Sequence, residues 1–179
     1  MKINQFLIVV SIMMCAISCS GPEARKPISK KTNVFLRESV ALNKSLNDRE
    51  KLLITSFMDV DSTHIYKESS LGFWYAMIQS KKQGELPQTD DTVYYNFEVY
   101  NLKNELLYPK DSLNAIMYKV DKQEHEIEGL QQGIKIMKEG ERAVFLFPSF
   151  KAYGLVGDGH KIGVNEPIKV IIELIEIKK

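Results

Sequence analysis

The sequence predicts an α+β fold, an antiparallel sheet packed on one short α-helix and preceded by a helical N-terminal region. Three observations predict it. Val93, Tyr95, Phe97 and Val99 alternate with Tyr94, Asn96, Glu98 and Tyr100, the period of two expected of a half-buried strand. Leu130, Ile134 and Met137 recur at i, i+4 and i+7, which lines one face of a helix. Ala143-Val144-Phe145-Leu146-Phe147 is a compact apolar run that suits a buried strand, and Pro148 stops it because proline has no N–H to give to a ladder.

The elements follow in chain order. The 179 residues hold one domain of ordinary size behind an N-terminal extension. Residues 1–18 read as a secretory signal: Lys2 supplies the positive start, and the apolar run over residues 6–17 is shorter than the roughly 20 residues a membrane-spanning helix needs. Its end, Ala16-Ile17-Ser18-Cys19, resembles a bacterial lipobox, which makes Cys19 the lipidated first residue of the mature chain. Cys15 is the alternative lipidation site, and an ordinary signal peptide is the alternative reading of the segment. Ser20 after the cysteine, with no acidic run behind it, is the pattern of lipoproteins of the outer membrane that face the periplasm. The two cysteines are Cys15 and Cys19 and none follows, so the rest of the chain is expected to use no disulfide, cysteine nucleophile or cysteine-ligated metal. A thiol-free body is compatible with an oxidising envelope compartment. Residues 19–32 are polar, contain Pro22 and Pro27, and read as a tether. The formal net charge is +1 with acids and bases interspersed, and the lack of a basic stripe argues against a nucleic-acid partner.

Residues 33–62 read as two helices. Val34, Phe35, Leu36, Val40 and Leu42 belong to the first. Asn47 or Asp48 can cap the second, in which Leu52, Leu53, Phe57 and Met58 make an apolar stripe. The pair either packs on the following domain or forms an arm for dimerisation or for binding a client. Residues 65–179 form the main domain. Phe73, Trp74, Tyr75 and Met77 mark its first strand, and Gly84, Pro87 and Asp90-Asp91 a loop. After the alternating strand, residues 102–106 turn into another, and Tyr118 and Val120 precede a charged loop ending at Ile127. The helix opens at Gly129 and is expected to close on Lys138-Glu139-Gly140. Ala152-Tyr153-Gly154 places an aromatic hydroxyl on a turn. Gly154, Gly157, Gly159 and Gly163 lie in a loop with a strand after it; a phosphate cradle needs a helix there, so the loop reads as a flexible flap. His64, His125 and His160 have no metal-ligand spacing.

Four segments resemble the FKBP-type peptidyl-prolyl isomerase family: Gly129-Leu130-Gln131-Gln132-Gly133, Gly140-Glu141-Arg142-Ala143, the loop from Pro148 to Gly154, and the closing strand Pro167-Ile168-Lys169-Val170-Ile171-Ile172-Glu173-Leu174. They occur in the family's order and spacing. The leader together with Gly72-Phe73-Trp74-Tyr75 is similar to the prolyl-isomerase lipoproteins of bacterial gliding motility. The resemblance implies a half-wrapped antiparallel sheet around one short helix. It also implies an enzyme that interconverts the two isomers of an X–Pro bond in client polypeptides. That reaction makes and breaks no covalent bond, so no nucleophile, metal or cofactor is expected. It requires a dry apolar cup that favours the twisted amide, and a donor that grips a substrate carbonyl. By resemblance, Tyr153 is the hydroxyl donor and Ile127 offers its backbone amide to the prolyl carbonyl. Leu130 floors the cup, Phe97 stands at a pocket tyrosine, and Leu107 and Val170 stand at pocket aromatics. Ile162 lies on the flap, and Tyr108 occupies the position of a pocket aspartate. These substitutions imply a wider, more aliphatic cup with weaker activity, and they keep open the alternative of a noncatalytic binding module.

Overall fold

The computed structural model describes residues 30–110, 115–122 and 127–179; Cys19, the leader and most of the tether fall outside them. The first element is one continuous helix, α1, Lys30–Val60. This corrects the expectation of two helices. Neither Gly nor Pro interrupts residues 42–48, and a capping residue such as Asn47 or Asp48 costs a helix interior only about 0.7 kcal/mol relative to alanine, too little to break it. The buried stripe also differs from the expected one. Leu52 and Leu53 are exposed, whereas Glu50 and Ile54 are buried, with Phe57 and Met58 half-buried beside them.

Residues 40–179 form one compact body. Its strands are β1 (Lys67–Glu68), β2 (Trp74–Gln79), β3 (Thr92–Asn101), β4 (Leu106–Tyr108), β5 (Ile116–Lys119), β6 (Arg142–Phe147) and β7 (Ile168–Lys178). They make a single antiparallel sheet in the order β1-β2-β6-β7-β3-β4, with β5 also paired to β3. The long strands β3 and β7 run side by side from Thr92↔Lys178 to Asn101↔Ile168. The alternation read in the sequence is realised on β3, where Val93, Tyr95, Phe97 and Val99 are buried and their neighbours are half-exposed.

β6 is buried on both faces, which is why its apolar run is unbroken. Phe145 and Phe147 face the main core, together with Phe97, Val170 and the second helix, α2 (Glu128–Ile134). Leu146 faces the other way and meets Trp74 and Ile54 of α1. α2 is shorter than its apolar spacing suggested. It ends at Ile134, and Met137, still buried, is held by a further turn through its N–H to the Ile134 carbonyl (3.0 Å). Gly140 is therefore not the helix stop. It sits at φ +74° in the turn entering β6 and donates its N–H to the Leu174 carbonyl (2.7 Å).

Candidate functional site

The inner face of the sheet sets out the site in rows. Val99, Val170, Phe145 and Tyr75 lie side by side across β3, β7, β6 and β2, and Phe97, Ile172, Ala143 and Met77 form the next row. Aromatic rings fill one side: Phe145 stacks on Phe147 (5.5 Å between centroids, 13°) and on Tyr75 (6.1 Å, 24°), and Phe73 meets Phe147 edge-on (5.4 Å, 71°). α2 crosses directly over these rings because its underside carries no side chain at Gly129 and Gly133. A Cβ on Gly129 would stand 2.6 Å from Phe147, and one on Gly133 3.0 Å from Phe145. The helix thereby comes close enough to bury Leu130 and Ile134.

All eight positions singled out in the sequence fall in or against this one cluster. Phe97, Ile127, Leu130, Ile162 and Val170 are buried members of it, and Leu107, Tyr108 and Tyr153 pack against it half-buried. Ile127 is the residue before the first turn of α2, with extended backbone (φ −109°, ψ 108°), and its carbonyl accepts the Leu130 N–H (3.1 Å). Phe97 stacks on Tyr95 (6.0 Å, 24°). The same positions thus serve as core of the domain, and the side chains that reach the surface belong to Leu107, Tyr108 and Tyr153.

Tyr153 rides on a tight turn. After Pro148 the chain makes a short 3₁₀ helix, Ser149–Lys151, and the Ser149 carbonyl accepts the N–H groups of Ala152 (2.9 Å) and Gly154 (2.8 Å). Ser149 is itself held from α1. Its N–H and hydroxyl both donate to the buried Glu50 carboxylate (2.7 and 2.6 Å).

Three contributors lay beyond the sequence reading. Tyr95 is fully buried, and burial, with the nearby Tyr118 and Tyr153 hydroxyls, pushes its phenol above the ordinary range. Its place in the inward register of β3 was the available signal. Asp158, on the flap between Gly157 and Gly159, accepts the hydroxyl proton of Tyr108. Glu50 had no local signal, since a carboxylate is ordinarily read as facing solvent.

A cleft of about 880 Å³ lies elsewhere, bordered by the end of α1, the β3–β4 turn and the start of β7. Lys169 is on its wall, over the rings of Tyr100 (4.5 Å) and Phe57 (5.7 Å), and burial lowers its ammonium pKa. At its edge, Asp61 accepts from Thr63, His64 and Tyr66; burial pushes its carboxyl up, but these bonds outweigh it and hold it below the usual range.

Residues 83–175, more than half of the chain, match the family model described as FKBP-type peptidyl-prolyl cis-trans isomerase. Among solved structures the fold is similar to FkpA from Escherichia coli (TM-score 0.60, 20% identity, 95% of this chain and 80% of that one covered). It is similar as well to a peptidyl-prolyl cis-trans isomerase from Pseudomonas syringae pv. tomato (TM-score 0.59, 18% identity, 76% and 96% covered). The N-terminal domain of FKBP42 from Arabidopsis thaliana gives a TM-score of 0.58 at 20% identity, with 67% and 95% covered. None of the curated proteins compared matches the chain. At these identities the structural likenesses speak for the fold, and the match over residues 83–175 speaks for descent: the chain belongs to the FKBP-type peptidyl-prolyl cis-trans isomerase family.

Proposed function

We propose that this chain catalyses cis–trans isomerisation of X–Pro bonds in exported polypeptides while anchored through a lipid on Cys19 to the envelope, at the outer membrane and facing the periplasm. The observation that carries the reading is the position of Tyr153, half-buried on a braced turn against the cluster of Phe97, Ile127, Leu130, Ile162 and Val170. The rotation barrier of about 18–20 kcal/mol comes from amide resonance, which the twisted state gives up. An apolar seat for the prolyl ring excludes water, which favours the more polar planar amide. A hydroxyl donor on a substrate carbonyl holds the peptide while the bond turns. Binding of this kind accelerates the reaction only so far as it is tighter for the twisted form.

The test is isomer exchange measured by NMR on short Leu-Pro and Phe-Pro peptides. The full chain is expected to accelerate exchange, and Tyr153→Phe to lower kcat/KM about tenfold, the worth of one hydrogen bond of roughly 1.4 kcal/mol. A folded chain that accelerates no X–Pro peptide overturns the enzyme reading. Binding without acceleration establishes the alternative, a noncatalytic chaperone or binding module, which the burial of five of the eight positions favours.

The similarity of the leader and of Gly72-Phe73-Trp74-Tyr75 to the gliding-motility lipoproteins supports motility components as clients. Loss of gliding on deletion of the gene, restored by the native gene but not by Cys19→Ala, is the expected result. Val34, Phe35, Leu36, Val40 and Leu42 are exposed along α1, which supports packing on a second copy or on a client. Sedimentation of the full chain and of a variant with polar residues at Phe35 and Leu36 separates the two.

A further inference from the structure

The flap leaves the sheet at Gly154 and returns at Asn165, whose N–H bonds to the Gly154 carbonyl (2.8 Å) and closes the loop at its base. Leu155, Val156 and Val164 are exposed on its outside. Ile162 turns inward and is buried in the main core, so it is the flap's apolar foot in the cup. Asp158 shapes this loop. Its Oδ1 accepts the N–H groups of His160 and Ile162 (2.8 Å each), and its own N–H bonds to the Ile162 carbonyl (3.1 Å). The turn is tight enough that a Cβ on Gly157, at φ +71°, would stand 2.5 Å from the Ile162 oxygen.

The second oxygen of Asp158 leaves the flap and accepts the hydroxyl proton of Tyr108, the last residue of β4. Tyr108 is fixed to the sheet through its pairing with Val99. Lys161 reinforces the same junction, with its ammonium on the Leu107 carbonyl (2.7 Å) and 5.2 Å from the centre of the Tyr108 ring. Both links run from the flap, one from Lys161 next to Ile162 and one from Asp158, which holds the Ile162 N–H, to the neighbouring residues Leu107 and Tyr108 of β4. A hydrogen bond to an ionised carboxylate is about twice as strong as a neutral one, so a single pair can decide where the flap rests.

We propose that Tyr108 and Asp158 form a clasp that seats the flap and positions Ile162 against the prolyl ring of a bound client. This rests on the isomerase reading for the identity of what Ile162 touches. Both residues are positioning residues. The prolyl ring is unchanged as the peptide bond turns, so Ile162 binds planar and twisted forms alike, and its misplacement acts on KM rather than on kcat. Ionisation agrees with the geometry. The bond to Asp158, then burial, raises the Tyr108 phenol, while burial raises and the bonds from Tyr108 and the flap backbone more than offset this and lower the Asp158 carboxyl. A lowered carboxyl stabilises above its ordinary value and loses this as pH falls through the lowered one. A raised phenol stabilises below its ordinary value and loses this as pH rises through the raised one. The clasp is therefore at full strength between the ordinary carboxyl and phenol values, about pH 4 to about pH 10, and is lost only beyond them.

The test compares the full chain with Tyr108→Phe, Asp158→Asn and Asp158→Ala. Tyr108→Phe, which removes one oxygen, is expected to raise KM for a Leu-Pro peptide about fivefold to tenfold with kcat within about twofold. Amide exchange at Ile162 is expected to quicken in Tyr108→Phe and further in Asp158→Ala, with Asp158→Asn between native and alanine because its amide oxygen still accepts. Ultraviolet titration of Asp158→Ala should show one phenol returned towards the ordinary tyrosine range. Tyr108→Phe with native KM and native flap exchange overturns the clasp. If the native chain accelerates no peptide, the isomerase reading fails by itself, and flap exchange and the phenol titration still decide whether the clasp exists.

Discussion

Glu50→Ala is expected to lower the unfolding free energy by about 3 kcal/mol, roughly the sum of two charge-assisted hydrogen bonds at 1.5–3 kcal/mol each, less the cost of desolvating the carboxylate. Glu50 is 1% exposed and Ser149 is 4% exposed, so water cannot substitute for the lost acceptor without opening the junction. The Ser149 N–H and hydroxyl would both be orphaned. Urea unfolding measures the loss, and a fall of less than about 1 kcal/mol would show that the carboxylate contributes no more than a surface charge. Ser149→Ala is expected to cost less, because the backbone N–H still reaches Glu50. The effect should extend to function. The Ser149 carbonyl anchors Ala152 and Gly154 on either side of Tyr153, so Glu50→Ala assayed where it remains folded should lose kcat/KM as well as stability.

Gly129→Ala is expected to destabilise by about 2 kcal/mol, although alanine is the better helix former by about 1 kcal/mol. The magnitudes decide the sign. The new methyl would lie 2.6–2.8 Å from three ring atoms of Phe147, and that ring is fully buried between Phe145 and Phe73. Overpacking a site with no slack costs about 1–3 kcal/mol and outweighs the gain in propensity. A double-mutant cycle with Phe147→Leu checks the cause: in the leucine background the cost of Gly129→Ala should shrink by at least about 1 kcal/mol. A stabilised Gly129→Ala would mean that the helix can lift off the sheet without penalty. Gly133→Ala, at 3.0 Å from Phe145, is expected to follow the same direction with a smaller effect.

Much of the fold was legible because chain geometry imposes periods that show in the sequence. The alternation from Val93 to Val99 reports the pleat of β3, and the unbroken run from Ala143 to Phe147 reports a strand covered on both sides. Gly129 and Gly133 were legible only through the family resemblance, and the structure showed that they let α2 touch the rings of Phe147 and Phe145. The gathering of Phe97, Ile127, Leu130, Tyr153, Ile162 and Val170 into one cluster follows from these elements once they pair.

What was not legible depended on partners far along the chain. The sequence reading broke α1 at Asn47 or Asp48 because capping is a local signal, and a local signal is weak beside the packing of Ile54 on Trp74 and Leu146. It put Leu52 and Leu53 on the buried stripe with Phe57 and Met58, whereas that face runs through Ile54 to Glu50, whose burial is tolerable only with Ser149 opposite it. It saw at Tyr108 a missing carboxylate, whereas the structure brings one to that hydroxyl from Asp158 on the flap. The sequence by itself determined the type of the main elements and the inward face of β3, because those follow from the repeat of the backbone. Only the tertiary structure decided which polar groups are buried and what holds the flap and the Tyr153 turn, because a hydrogen bond needs its partner within about 3 Å and nothing in local sequence specifies that distance.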